Sequence, residues 1–255
     1  MSLNDFGNVG GAYQRYSEGI RGRIRHELVF QVVAELTAAG GTVLDMGCGD
    51  GEIAVRLCEA GFNVLGVDAS PEMLRRAYLR KDQLSERARN RLDFAVGTIE
   101  NFKPKQTFDA VCCHGVLMYL DDSGAAIQTL ANHVSPGGLL SILTKNALSN
   151  GFREALRGDY ELARQLIETR AASSIGNLGI STRGDDPSVI VDCMKQCGFN
   201  DCQWRGIRIF SDHLDADSFD DSMADALIAL EQATSLRDPY RLMARLFHAT
   251  GRKNQ

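Results

Sequence analysis

Val43-Leu44-Asp45-Met46-Gly47-Cys48-Gly49-Asp50-Gly51 decides how this chain of 255 residues is read. An apolar run meets an acid, and glycine then takes every second position from 47 to 51. The run has the form of a buried strand. The glycines mark the turn after it, where backbone without Cβ atoms lets a nucleotide-like ligand approach. Downstream, Val64-Leu65-Gly66-Val67-Asp68-Ala69-Ser70-Pro71 is a second strand that ends in an acid and leads directly into a helix start.

Strand and helix patterns alternate outward from this pair. Before it, Ile24, Leu28, Val32, Val33 and Leu36 share one face of a helix that Gly40-Gly41 ends. Residues 1–40 form an N-terminal helical cap, its first 22 residues glycine-rich and polar with Tyr13 and Tyr16. The spacing predicts strands at Thr42–Asp45, Asn63–Asp68, Leu92–Val96, Phe108–Cys113 and Leu139–Thr144. Helices are predicted at Glu52–Ala60, Pro71–Arg80 with Ser70 as cap, and Ser123–Val134 closed by Pro136-Gly137-Gly138. Such alternation implies a doubly wound, mostly parallel α/β sheet with helices on both faces.

After Asn146 the rhythm changes. Residues 147–184 read as an insertion over the carboxyl edge of the sheet, with a helical stretch from Phe152 to Arg170. A helix at Ser188–Cys197, a strand at Gln203–Phe210, a helix at Ser222–Thr234 and a last strand at Arg245–Gly251 follow, with 252–255 as a frayed tail. No linker or repeat interrupts the chain, so 1–255 is read as one domain.

A net charge of −5 gives the whole molecule no pull toward nucleic acid or anionic lipid. No apolar run has the length of a membrane span, and the N-terminus lacks the layout of a signal peptide. Seven scattered cysteines suggest free thiols in a reducing compartment, and the expectation is a cytoplasmic protein.

The glycine spacing carries the chemistry. A dinucleotide site reads G-x-G-x-x-G and brings a pyrophosphate to a helix N-terminus. Here the spacing is G-x-G-x-G, with acids at Asp45, Asp50 and Glu52. Carboxylates repel a pyrophosphate and suit a ligand with an ammonium and a sulfonium. S-adenosylmethionine has both. Asp68, closing the second strand, is placed to accept from ribose hydroxyls.

These residues resemble the class I S-adenosylmethionine-dependent methyltransferases over about residues 40–146. Phe108-Asp109-Ala110-Val111-Cys112-Cys113-His114 matches their fourth strand, and Leu130 to Leu140 their helix–Pro-Gly-Gly–strand segment. The resemblance implies a Rossmann-like sheet of seven strands with a helical insertion after the fifth. It also implies S-adenosylmethionine as cofactor, leaving as S-adenosylhomocysteine.

The flanks resemble a narrower group, the tRNA 5-carboxymethoxyuridine methyltransferases, which convert a wobble-base carboxylate to its methyl ester. Arg21-Gly22-Arg23-Ile24-Arg25, Arg157-Gly158-Asp159-Tyr160, Asp185-Asp186-Pro187, Gly206 to Leu214, Ala226 to Glu231 and Asp238-Pro239-Tyr240 carry this likeness. It implies cofactor contacts at Arg25, Gly47, Cys48, Asp68, Ile99, Glu100 and His114, to which the two strand ends add Asp45, Gly49 and Ala69 as cofactor-site candidates. Arg25 would hold the cofactor's carboxylate, Ile99-Glu100 would flank the adenine, and His114 would face the reacting centre. In one place the chain departs from the group: residues 173–184 lack a lysine-rich run before the Asp-Pro helix start. That removes a phosphate-binding element.

A carboxylate nucleophile is ionised at neutral pH, with a reference pKa of about 4, and needs no general base. Arginines would hold it, with Arg153, Arg157, Arg205, Arg208 and Arg241 as candidates, and Tyr119 and Tyr160 would shape the pocket. His114 would take up a proton only for an amine or phenol acceptor.

Cys193, Cys197 and Cys202 match no zinc spacing and read as core thiols, so no metal is expected. Cys112-Cys113 reads as central strand, and His26, His133 and His248 as structural or exposed. Asp215, Asp217, Asp220 and Asp221 read as a solvated helix entry. The partner is thus tRNA or a small carboxylate-bearing molecule. The alternatives are a small-molecule methyltransferase of specialised metabolism, favoured by the acid balance, and a non-catalytic S-adenosylmethionine-binding protein.

Overall fold

The computed structural model describes residues 19–169, 173–175, 181–213 and 221–255. Tyr13, Tyr16, Asp215, Asp217 and Asp220 lie outside them. Helix α1 (Ile20–Leu36) leads to β1 (Thr42–Met46), α2 (Glu52–Glu59), β2 (Asn63–Asp68), α3 (Pro71–Asp82) and the short α4 (Glu86–Arg89). Then come β3 (Leu92–Val96), β4 (Phe108–His114), α5 (Ser123–Ala131) and β5 (Val134–Lys145). Helices α6 (Phe152–Leu156) and α7 (Tyr160–Glu168) and a small ladder of β6 (Ser173–Ile175) with β7 (Ser181–Arg183) follow β5. The chain closes with α8 (Pro187–Gln196), β8 (Phe199–Ile207), α9 (Asp221–Thr234) and β9 (Leu246–Lys253).

Seven strands form one sheet in the order β3-β2-β1-β4-β5-β9-β8, parallel from β3 to β5, with β9 antiparallel to both its neighbours. From β1 the chain winds outward through β2 and β3, then returns to place β4 on the other side. The carboxyl ends of β1 and β4 therefore flank the switch point, where the loops diverge and leave a crevice.

Strand periodicity decides which side chains enter it. Val43, Ala110, Cys112, Leu139 and Leu143 face the layer that holds Ile24 and Leu28 of α1 and Leu57 of α2. Leu44, Met46, Val111, Cys113 and Ile142 face the opposite layer, with Leu130 of α5 and Ile190 of α8. By the same alternation Asp45, His114, Ser141 and His248 belong to the α1 side.

Several boundaries differ from the sequence reading. Pro136-Gly137-Gly138 does not close a helix: α5 ends at Ala131, and the three residues form an outward loop inside β5, where Phe108 pairs with Val134 but Ala110 with Leu139. Gly137 turns that loop at φ +72°. The helical stretch after Phe152 is two helices, because Arg157-Gly158 leaves the first and Asp159 caps the second, accepting from Leu162 N–H at 3.2 Å. Strand β8 stops at Ile207, since Arg208 takes φ +65°. Helix α1 ends at Leu36, with Thr37 already extended, so Gly40-Gly41 stand in the turn beyond it. The tail is not frayed at Arg252 and Lys253. Both lie in β9, and Lys253 Nζ donates to Ala131 O at 2.6 Å and Val134 O at 3.1 Å.

Cys112 and Cys113 are buried in the sheet, and burial pushes both thiols up. Cys193, Cys197 and Cys202 pack half-buried against the core. Among the described residues, no helix is long and apolar enough to cross a membrane.

Candidate cofactor and acceptor site

A cleft opens at the switch point, lined by Arg25, Asp45, Gly47, Cys48, Asp50, Glu52 and His114, with Leu143 beside them. The glycine loop forms its lip. Gly47 stands at φ +76°, and a Cβ there would meet Val116 Cγ2 at 2.1 Å, so only glycine lets the loop pass this close. The N–H groups of Gly47 and Cys48 both donate to Val67 O, at 2.7 and 3.0 Å, tying the loop to β2.

Asp68 braces the same loop. Its Oδ2 accepts from Gly49 N–H and its Oδ1 from Ser70 N–H, each at 2.8 Å. Burial nonetheless holds its pKa above the ordinary carboxylate range. A carboxylate has about four acceptor positions, so capacity for further donors remains.

Of the acids around the loop, Asp50 and Glu52 are already neutralised. Arg80 reaches Asp50 at 2.8 Å and Glu52 at 2.8 Å, and Arg56 reaches Glu52 at 2.8 Å. Both acids still line the cleft, as the sequence spacing suggests. Asp45 differs in lacking an ion pair among the described residues. It is 2% exposed, no hydrogen bond reaches its carboxylate among the described residues, and burial, with Asp68 nearby, pushes its pKa to about 7. A buried carboxyl group of this kind gains from a cationic ligand.

His114, the last residue of β4, is a half-buried wall of the cleft. Its Nε2 lies 2.9 Å from Ser141 Oγ, which is 2.7 Å from His248 Nε2. The Nδ1 atoms of both rings are buried with no hydrogen-bond partner among the described residues. Burial first, then Arg25, pushes His114 down to about 3, and burial holds His248 well below its usual value. Arg25 donates to the buried ring of His26, which burial keeps neutral.

The other expected contacts are spread along the strand ends. Ala69 sits half-buried between Asp68 and Ser70. Ile99 is buried among Met46 and Val67, while Glu100 is exposed. Tyr119 is half-buried in the 3-10 turn Leu117–Tyr119 that follows β4.

The arginine candidates separate. Arg153 and Arg208 line a second cleft at the same edge of the sheet. Arg205 does not reach it: it pairs with His248 in mid-strand, on the α1 side, where Glu35 is its nearest acid. Arg241 is held against the Trp204 ring at 4.3 Å and paired with Asp238 at 2.6 Å, so it is a packing residue. Arg157 and Tyr160 are both exposed, Tyr160 at 73%. Sequence reading missed Lys145, Ser141, Arg245 and His248. A lysine and an arginine abutting buried apolar strands were the available signal for Lys145 and Arg245; register alone identifies Ser141 and His248.

Among the described residues, no group of three or more His, Cys, Asp or Glu side chains is placed to hold a metal ion.

Residues 44–140 match a family model described as a methyltransferase domain. Over 262 aligned positions the chain is 24% identical to the tRNA 5-carboxymethoxyuridine methyltransferase of Escherichia coli (strain K12), covering 100% of this chain and 98% of that protein. Over 137 positions it is 34% identical to a ubiquinone biosynthesis O-methyltransferase of Xanthomonas oryzae pv. oryzae, covering 53% of this chain and 56% of that one. Among solved structures, magnesium protoporphyrin IX methyltransferase from Synechocystis, bound to S-adenosylhomocysteine, shares the fold with a TM-score of 0.65 at 16% identity, covering 99% of this chain and 96% of that one. An N-methyltransferase from Bradyrhizobium japonicum, also bound to S-adenosylhomocysteine, has a TM-score of 0.59 at 16% identity, covering 94% and 91%.

Proposed function

We propose, on the premise that this chain is an S-adenosylmethionine-dependent methyltransferase with its methyltransferase domain at residues 44–140, that it esterifies a carboxylate, and that the carboxylate belongs to 5-carboxymethoxyuridine in tRNA. The observation that carries the acceptor is the extent of the likeness. Similarity to the tRNA enzyme spans the whole chain, whereas similarity to the ubiquinone O-methyltransferase spans about half of it. A small-molecule acceptor is the second reading, favoured by the acidic balance and the missing lysine run.

The donor set of the first cleft fits the cofactor. Arg25 would take its carboxylate, Asp45 would lie toward its cationic end, and Asp68 would accept from the ribose hydroxyls. The peptide groups of Gly47, Cys48 and Gly49 would line it, with Ala69, Ile99 and Glu100 toward the adenine. When bound, it supplies an electrophilic methyl group on a sulfonium, so the protein contributes orientation and exclusion of water.

A carboxylate acceptor arrives ionised, and no residue has to remove a proton. His114 fits that chemistry: with its pKa near 3 it stays neutral at physiological pH and is a weak base. Residues 147–184 belong to the same domain in this reading, and the enzyme works in the cytoplasm.

The test is methyl transfer from labelled cofactor to tRNA carrying 5-carboxymethoxyuridine, with the nucleoside identified after digestion. Gain of one methyl group on that nucleoside is the expected result. Transfer to a small-molecule extract but not to tRNA would favour the second reading, and transfer to neither would point to a binding protein.

A further inference from the structure

Beyond the carboxyl end of β5, five cations among the described residues meet Glu154 and Asp212, with the buried Glu231 behind them accepting from the N–H groups of Ile209 and Phe210. Lys145 ends β5, Arg153 comes from α6, Arg208 follows β8, Arg245 precedes β9, and Arg21 reaches in from α1. Asp212 is committed: it takes Arg208 through two contacts, Nε to Oδ2 at 2.7 Å and a second from Nη2 to Oδ1.

Arg245 is the outlier. It is 8% exposed, and its one ion pair among the described residues is with Glu154 at 3.8 Å, beyond hydrogen-bond length. Its guanidinium makes no hydrogen bond to another described residue. A buried guanidinium held this loosely is costly unless a ligand completes its shell. Burial lowers the pKa of Arg245 against the opposing pull of Asp212 and Glu154, and burial with Arg245 nearby brings Lys145 down to about 8.

These groups border a shallow cleft lined by Arg153, Arg208, Arg245, Phe152, His213 and Asp212, the last of which is engaged by Arg208. Only β5 separates β4, which ends in His114, from β9, which Arg245 precedes. At this sheet edge the backbones of β4 and β9 thus lie two strand spacings apart, roughly 10 Å.

We infer that the second cleft is the oxyanion subsite for the acceptor, with Arg245 as its central cation and Arg153 as its second arm. The inference rests on the methyl-transfer reading above and deepens it. The ligand chemistry is an oxyanion with a flat or tetrahedral array of acceptors, which a guanidinium binds in two-pronged fashion. It has two sources: the carboxylate to be methylated, or a phosphate beside it.

Arginine side-chain NMR of the intact protein saturated with S-adenosylhomocysteine tests this, with the Arg245 signal assigned from Arg245→Lys. The probes are 5-carboxymethoxyuridine, its methyl ester and inorganic phosphate. A saturable shift of Arg245 with the acid and none with the ester identifies the carboxylate; a shift with phosphate alone identifies the phosphate. No shift with any probe overturns the subsite. In parallel, Arg245→Gln and Arg153→Gln should each raise KM for the acceptor roughly 10- to 100-fold, the scale of one charge-assisted contact, with S-adenosylhomocysteine affinity unchanged. Retained cofactor affinity also reports that each variant folds. An unchanged KM in Arg245→Gln overturns the inference. If Arg245 responds to the probes but no tRNA is methylated, the subsite stands and the tRNA reading falls.

Discussion

Asp45→Asn should make the ligand-free protein more stable and the cofactor bind worse. The carboxyl group ionises near 3.8 in an unfolded chain and near 7 in the fold, where burial and then Asp68 raise it. Between those values the native state holds a proton that the unfolded chain has released. Stability therefore falls as pH rises through the interval and levels off above it. At about 1.4 kcal/mol per unit, the loss by pH 8 is on the order of 4 kcal/mol. Asparagine removes that charge at equal size but brings an amide with few partners, which costs about 1–3 kcal/mol. The net gain is roughly 1–3 kcal/mol at pH 8, or about 2–10 °C in Tm for a chain of this length. Scanning calorimetry of both proteins from pH 4 to pH 9 is the assay. The advantage of the variant should be smallest at pH 4 and reach its full size near pH 8. Saturating S-adenosylmethionine should narrow the gap, because the charged carboxylate meets a cation in the wild type only. A variant no more stable than wild type at pH 8, or a gap independent of pH, would refute the argument.

Further outcomes follow from the same geometry. Gly47→Ala places a methyl group against Val116 at a glycine of positive φ; it should cost about 1–3 kcal/mol and abolish measurable cofactor binding by calorimetry. Asp68→Asn keeps one acceptor for the N–H groups of Gly49 and Ser70 but loses the charge, so cofactor Kd should rise roughly 10- to 100-fold while the circular dichroism spectrum is unchanged. Ser141→Ala leaves the Nε2 atoms of His114 and His248 without their shared hydroxyl; urea unfolding should show a loss of roughly 2–5 kcal/mol, and an unchanged midpoint would remove that contact from the energetics. The subsite experiment on Arg245 completes the set.

The sheet and the cleft at the glycine loop were legible in the residues because both depend on local pattern. Alternating buried strands and capped helices, and an acid followed by G-x-G-x-G, are short-range signals that tertiary contacts then reinforce. Boundaries went astray where one residue's backbone state decides them, as at Arg208, or where a helix-stop signature proved to be a loop inside a strand, as at Gly137. The electrostatics needed the fold. That Asp50 and Glu52 are neutralised while Asp45 is not depends on Arg56 and Arg80, which arrive from helices α2 and α3. The arginines show the division most clearly. In the chain, 153, 205, 208 and 241 are equivalent positive charges on plausible segments. Strand register sends Arg205 under α1, an aromatic ring holds Arg241, and Arg245, which no motif marks, becomes the loosely held cation beside the second cleft. Periodicity along a strand decides which face a side chain takes, so it can be read from residue order. Which charges meet across β5, β9 and β8 is set by pairing between strands far apart in the chain, and only the assembled sheet decides that.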